Sequence, residues 1–199
     1  LPEGRPPKKE EVARVLDYLP YGHVSEAMSS YQKKPLVQAV GEANFVLMEL
    51  TPKEAAVPHP GDRVYIGAGP RDVIAHVNKR IPYVELTNTS KLELTFTIQK
   101  IVLDNQDRFI RYFNLAGSIS TRMHALELLP GIGKKLMWAV LNERKKKPFK
   151  DFADLTERVK GLYNPEKLIA NRVEDELMDE KIKYRVFTVD PRAAVDRRR

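Results

Sequence analysis

A chain of 199 residues with 34 Lys and Arg against 27 Asp and Glu carries a formal net charge of +7 and contains no cysteine. That length buries a core for one domain or two small ones, and the basic balance favours a polyanion: ribosomal RNA, transfer RNA and DNA all fit. Lacking cysteine excludes a disulfide framework, a thiolate zinc site and a cysteine nucleophile. No apolar run approaches bilayer length, so a cytoplasmic protein with no membrane role is expected.

The chain opens at Leu1 without an initiator Met, which suggests a trimmed N-terminus, and Leu1 to Pro7 lacks the apolar core of a signal peptide. Lys8 to Leu19 fits a strand or a short helix. Strand is favoured, because Val12, Arg14, Leu16 and Tyr18 lie two apart and Pro20-Tyr21-Gly22 stops the run. Val37 to Val40 and Asn44 to Leu50 are further strand candidates. Pro60-Gly61-Asp62 reads as a turn before a β-rich run from Arg63 to Gly67, and Val73 to Val77 as another strand. Short strands between Pro and Gly turns predict a small closed barrel over residues 1–88, OB-like by preference, although an SH3-like barrel or half-open sheet shares the pattern. Arg63 beside Tyr65 and Lys79-Arg80 before Tyr83 form the cation and ring mixture of a single-strand platform, whereas alternating aromatics are more often core.

Residues 89–117 are expected to connect two domains, largely as helix. Leu92, Leu94, Phe96 and Ile98 alternate like a strand, but Ile101, Val102, Phe109, Ile110, Tyr112 and Phe113 return at helical spacing, with Asp104 as a cap. Over residues 118–199, Ser120 or Thr121 can cap a helix carrying Met123, Leu126 and Leu129. Leu136, Met137, Val140 and Leu141 give a second helix its stripe. Between the two lies Leu129-Pro130-Gly131-Ile132-Gly133-Lys134-Lys135. Gly131 can take a positive φ, and Gly133, without a Cβ, admits an anion close to the backbone. Helix amides lacking an intrahelical partner, and the positive end of the helix dipole, favour phosphate there.

This run resembles the helix-hairpin-helix family, whose signature is a hydrophobic residue, Pro, Gly, a β-branched residue and Gly between short helices. In that family the hairpin amides hold a backbone phosphate of DNA, less often RNA, without reading sequence. A Gly-x-Gly turn joining two core helices without a ligand is the alternative. A second, degenerate copy follows: Asp151 with Asp154 starts a helix bearing Phe152, Leu155 and Val159, and Lys160-Gly161-Leu162-Tyr163 turns the chain. Asn164 then caps a helix with Pro165 first and Leu168, Ile169, Val173, Leu177 and Met178 on its face. The copy lacks the second glycine, so packing rather than binding is expected of it, and the resemblance implies a pseudo-twofold pair with one core. Lys183 to Val189 reads as a final strand and Arg197-Arg198-Arg199 as a frayed tail.

The whole chain also resembles a family of archaeal proteins of unknown function, domain of unknown function 655, with a barrel-like N-terminal part and a helix-hairpin-helix C-terminal part. The likeness is carried by Val15-Leu16-Asp17-Tyr18-Leu19-Pro20 with Gly22-His23, by Arg63-Val64-Tyr65-Ile66-Gly67, by Arg80-Ile81-Pro82-Tyr83 and by Leu126 to Lys135. Pro148-Phe149 and Arg158 to Leu162 extend it. It implies nucleic-acid binding, RNA before DNA, and no established reaction.

The expected fold is therefore α+β, a small OB-like barrel followed by an all-α paired hairpin domain. Gly131, Ile132, Gly133, Lys134 and Lys135 are expected to hold phosphate, with Arg144, Lys145, Lys146, Lys147 and Lys150 extending the positive surface. That second run is also what a solvated helix C-terminus looks like. No cofactor, metal or catalytic residue is expected. His23, His59, His76 and His124 are scattered, Asp104 and Asp107 have no carboxylate company, and neither a Walker loop nor a nucleophile elbow is present. Two rival readings stay open. A glycosylase or lyase would use Lys134 or Lys135 with Asp151, although the Val-Asp-Thr-His-like run such enzymes carry is missing. An interaction module would present Trp138, Met137 and Met123 to a protein partner. Oligomeric state is not legible.

Overall fold

The computed structural model describes residues 9–23 and 34–189. The proline-rich start and the Arg197-Arg198-Arg199 tail lie outside them. The chain divides into two compact units: residues 98–174 form one, and the preceding residues together with those from 175 onward form the other. The fold is α+β.

The unit holding the N-terminal half is a curled five-stranded antiparallel sheet, a half-barrel, of order β4-β1-β2-β3-β5. Its strands are β1 (Val12–Leu19), β2 (Leu36–Gly41), β3 (Leu47–Pro52), β4 (Arg63–Tyr65) and β5 (Ile74–Arg80). The expected strands are thus present, with β3 starting later than Asn44 because residues 42–44 form a turn. Its core gathers Ala13, Val15, Val37, Ala39, Met48, Leu50, Val64, Ile66 and Ile74. The facing of β1 differs from the alternation assumed for Val12, Arg14, Leu16 and Tyr18. Ala13 and Val15 point into this core, and a register shift between Val15 and Asp17 then brings Tyr18 to the same side. One extra residue in a strand reverses the parity of everything beyond it.

The other face of β2 carries Gln38, fully buried, whose amide is used three ways. It donates to the Glu85 carbonyl at 2.9 Å and accepts from the Thr87 amide at 2.9 Å and the Ser90 hydroxyl at 2.8 Å. Those bonds seat the start of α1 (Asn88–Asp104) on the sheet. The strand-like alternation at its start is an accident of composition. In the helix Leu94 and Ile98 are buried, while Leu92 and Phe96 are 73% and 69% exposed. Steps of two cannot share one face of a helix that turns every 3.6 residues. Asp104 ends this helix, and Asn105, not Asp104, is the N-cap residue of α2 (Gln106–Leu115).

In the unit of residues 98–174 the helix expected after Ser120 or Thr121 is overturned. Ser120 and Thr121 cap no helix: β6 (Ser118–Ser120) pairs with β7 (Met123–His124), and a 3₁₀ turn spans Ala125–Leu128. Its N-cap is His124, in a reciprocal box with Glu127. A sequence showing Met123, Leu126 and Leu129 three apart fits a tighter 3₁₀ turn as well as an α-helix. The rest is helical: α3 (Lys134–Lys146), α4 (Phe152–Arg158) and α5 (Pro165–Met178). Asp151 caps α4, as expected, by accepting from the Asp154 amide at 2.7 Å.

Lys183 to Val189 forms no strand. Its amides are taken instead by the buried carboxylate of Glu176, which accepts from Val186 at 2.7 Å, Phe187 at 3.1 Å and Thr188 at 3.0 Å. Consecutive amides converging on one side chain cannot alternate between two neighbours as a ladder requires. No helix among the described residues is long and apolar enough to cross a membrane.

Candidate nucleic-acid interface

The turn from Leu129 to Gly133 is pinned by its two apolar residues. Leu129 and Ile132 are buried, and the Ile132 amide donates to the Leu129 carbonyl at 3.0 Å. Ile132 is therefore an anchor whose amide is already used. Gly131 has φ +92°, and a Cβ there would stand an ordinary 3.5 Å from Leu168 Cδ2, so backbone conformation rather than space requires glycine. Gly133 is different. It has extended backbone, φ −85°, is the N-cap residue of α3, and a Cβ on it would meet nothing within 4 Å.

Neither conformation nor packing calls for glycine at 133. With no side chain it also leaves the first α3 amides without the cap that Ser, Asp or Asn would supply. Lys134 and Lys135 are exposed in that same first turn, which contains no acid. Cations at a helix N-terminus oppose the dipole by about 0.3–1 kcal/mol each. An uncapped start, open space and two unfavourably placed lysines thus coincide at one point.

The second turn repeats the geometry without the opening. The Leu162 amide donates to the Val159 carbonyl at 3.1 Å, Gly161 has φ +92°, and its hypothetical Cβ would lie 3.5 Å from Leu136 Cδ2. Each turn's glycine therefore faces a leucine near the start of the helix that follows the other turn. Beyond Gly161 the resemblance stops: Asn164 takes a left-handed φ of 47°, and Pro165, first in α5, has no amide to offer.

The second group of candidate cations divides. Lys145, Lys146, Lys147 and Lys150 are exposed, and Lys146 pairs with Glu143 at 2.6 Å and holds that carboxyl below the usual range. Arg144 is half-buried and donates to the Phe113 carbonyl at 3.0 Å, which makes it a structural residue. Arg158, which sequence reasoning passed over, joins the end of α3 to α4. It donates to the Glu143 and Lys147 carbonyls at 2.7 Å each and to Asp154 at 3.1 Å, with its guanidinium 4.5 Å from the Phe149 ring centroid. Only its spacing of four from Asp154 is visible in sequence.

The remaining candidates are occupied elsewhere. Asp151, the carboxylate of the enzymatic reading, is spent on its cap. In the sheet unit Arg63 grips Glu42 at 2.9 Å and Lys79 grips Glu85 at 2.7 Å, so these two of the cations near Tyr65 and Tyr83 already have acidic partners. Burial pushes the Glu42 carboxyl up, but Arg63 and Arg14 outweigh it and hold the group below its ordinary value. His23 bonds Glu49 at 2.6 Å and His59 lies 3.8 Å from Asp62. No three metal-ligating side chains gather among the described residues.

His124 is 7% exposed and accepts the Leu126 amide through Nδ1 at 3.1 Å, so the neutral ring carries its proton on Nε2. Burial and the neighbouring Arg144 charge lower its pKa, against a smaller opposite pull from Glu127. With the folded value depressed below an unfolded value of about 6.5, the unfolded state takes up the proton first as pH falls. His124 therefore contributes stability above about pH 6.5 that is lost as pH drops toward the folded value. Thermal melts on either side of that point should show wild type losing more stability than His124→Asn, which keeps a capping oxygen but cannot titrate. Identical pH profiles for the two proteins would refute this.

Residues 9–189 match the family described as "Protein of unknown function (DUF655)". An uncharacterised protein of Methanocaldococcus jannaschii is 46% identical over 186 residues, covering 93% of this chain and 82% of the relative. The crystal structure of Af1531 from Archaeoglobus fulgidus is similar at a TM-score of 0.85 and 46% identity, covering 90% of this chain and all of that one. With the family match spanning nearly the whole described chain and relatives of this identity in two archaea, the protein belongs to the DUF655 family.

Proposed function

We propose that this protein is a non-enzymatic nucleic-acid-binding protein, with RNA favoured over DNA, that grips backbone phosphate at the start of α3. The observation that carries the reading is the coincidence at Gly133 to Lys135: an open, uncapped helix N-terminus with two exposed lysines where the dipole disfavours them. A local choice that costs stability without a packing gain is expected at a functional site. The reciprocal glycine turns at 131 and 161 support a paired helix-hairpin-helix arrangement in which the first turn binds and the second packs. Five strands curled around one core support an OB-like name for the other unit, since an OB-fold is a five-stranded, partly open barrel.

Phosphates carry no base information, so little sequence preference follows, with dissociation constants of about 1–100 µM at physiological salt. Titration of labelled structured RNA and duplex DNA at several salt concentrations tests this. Affinity should fall steeply with salt, and no binding at low salt would end the proposal. Gly133→Val keeps the charge, fits the extended backbone and fills the open space, so it should cost about tenfold. Lys146→Gln removes a cation already paired with Glu143 and should cost less than about threefold. Equal losses in two proteins that melt like wild type would favour diffuse electrostatics over a phosphate seat.

A further inference from the structure

Beside this phosphate seat, the β6–β7 hairpin and α3 enclose a groove of about 350 Å³. Such a volume lies near the lower end of the roughly 300–1,000 Å³ typical of small-ligand pockets. Its lining includes Met137, buried on α3, and Trp138, which is 55% exposed. Lys134 stands one helical turn before Trp138, on the same face. Arg122, exposed at the hairpin tip, supplies a second cation to the lining.

The Trp138 indole is one of several exposed rings, with Tyr21, Phe96 and Tyr163, and it is the one that lines this groove. A second observation comes from His124, buried in the same lining. Its Nδ1 is committed to the Leu126 amide, and no buried side-chain nitrogen or oxygen among the described residues lacks a partner, so an Nε2–H that meets no protein acceptor is open to solvent. Glu127 is the one acid in the lining, and its carboxylate is engaged by the His124 amide at 2.8 Å. The groove therefore offers an aromatic face, an imidazole and two exposed cations.

We infer that this groove receives an unpaired base of a polynucleotide, stacked on Trp138, with the adjoining phosphates held by Lys134 and Arg122. Paired bases in a duplex have their faces covered by their neighbours, so a ring-stacking groove selects single strands, loops or bulges. The charge of +7 and the two cations of the lining match a polyanion rather than a cationic or apolar ligand. The inference rests on the backbone-binding reading and adds a preference for unpaired nucleotides to it.

Trp138 is the sole tryptophan of the chain, so its fluorescence reports this groove alone. The full chain is titrated with a short oligouridylate, a short oligothymidylate and a blunt duplex of equal length, reading tryptophan emission and the anisotropy of a dye on each nucleic acid. Single strands should quench Trp138 to saturation and the duplex should not. Trp138→Ala should weaken single-strand binding about tenfold while changing duplex binding less than about twofold, with Trp138→Phe recovering most of the loss. The indole is exposed, so both variants should melt close to wild type, and Phe rescue separates stacking from a folding defect. Oligouridylate and oligothymidylate arms distinguish RNA from DNA as the source of the base. If single strands raise the anisotropy without quenching Trp138, or Trp138→Ala weakens both ligands equally, the stacking groove is overturned and the phosphate seat stands. If no nucleic acid raises the anisotropy at low salt, both fall together.

Discussion

Lys134→Glu combined with Lys135→Glu should weaken nucleic-acid binding on the order of 100-fold at low salt and at the same time raise thermal stability. The two effects have one electrostatic origin with opposite signs. Both lysines are exposed in the first turn of α3, at the positive end of its dipole, so carboxylates there stabilise the helix by about 0.3–1 kcal/mol each. Phosphates at the same place are deprived of two cations and meet two anions. The slope of log affinity against log salt should shrink by about two, because two phosphates are no longer neutralised by the protein. A double variant that melts higher and binds like wild type would show that the lysines serve something other than phosphate. One that binds weakly and melts lower would be damaged rather than informative, and single variants would then carry the test.

Glu176→Ala should cost about 3 kcal/mol of unfolding free energy, more than truncation of an exposed side chain. The carboxylate is fully buried and accepts from three successive amides, Val186, Phe187 and Thr188, and from the Thr188 hydroxyl at 2.9 Å. Removing it leaves those donors partly buried and unpaired, at roughly 1–3 kcal/mol each where water cannot reach them. Part of the loss is recovered by solvation, which sets the lower total. Glu176→Gln keeps one carbonyl oxygen and should lose about half as much. Urea unfolding measures both variants, and limited proteolysis should cut the alanine variant between Asp179 and Val189 first. An alanine variant within about 0.5 kcal/mol of wild type would mean that this segment is not held by Glu176.

Much of the architecture is legible in the chain because it depends on neighbours in sequence. Pro60-Gly61-Asp62 turns, β1 to β5 alternate with Pro and Gly, Asp151 caps α4, and Leu129-Pro130-Gly131-Ile132-Gly133 requires a tight turn wherever it is placed. Turn chemistry, caps and periodicity act over a few residues, so they survive being read alone. Tertiary structure decided the rest. It made Ser118 to Leu128 a hairpin and a 3₁₀ turn, where three-residue spacing fits two kinds of helix. It shifted the register of β1 between Val15 and Asp17, which only pairing with β2 can reveal. It half-buried Arg144 and bound it to the Phe113 carbonyl, and took Lys183 to Val189 out of any sheet by giving the Val186, Phe187 and Thr188 amides to Glu176. A side chain's partner depends on which distant groups the fold brings within about 3 Å, and charge or spacing along the chain does not encode that distance. The residue types of the proposed phosphate seat were readable in sequence; the open space at Gly133 and the exposure of Trp138 became visible only in the folded chain.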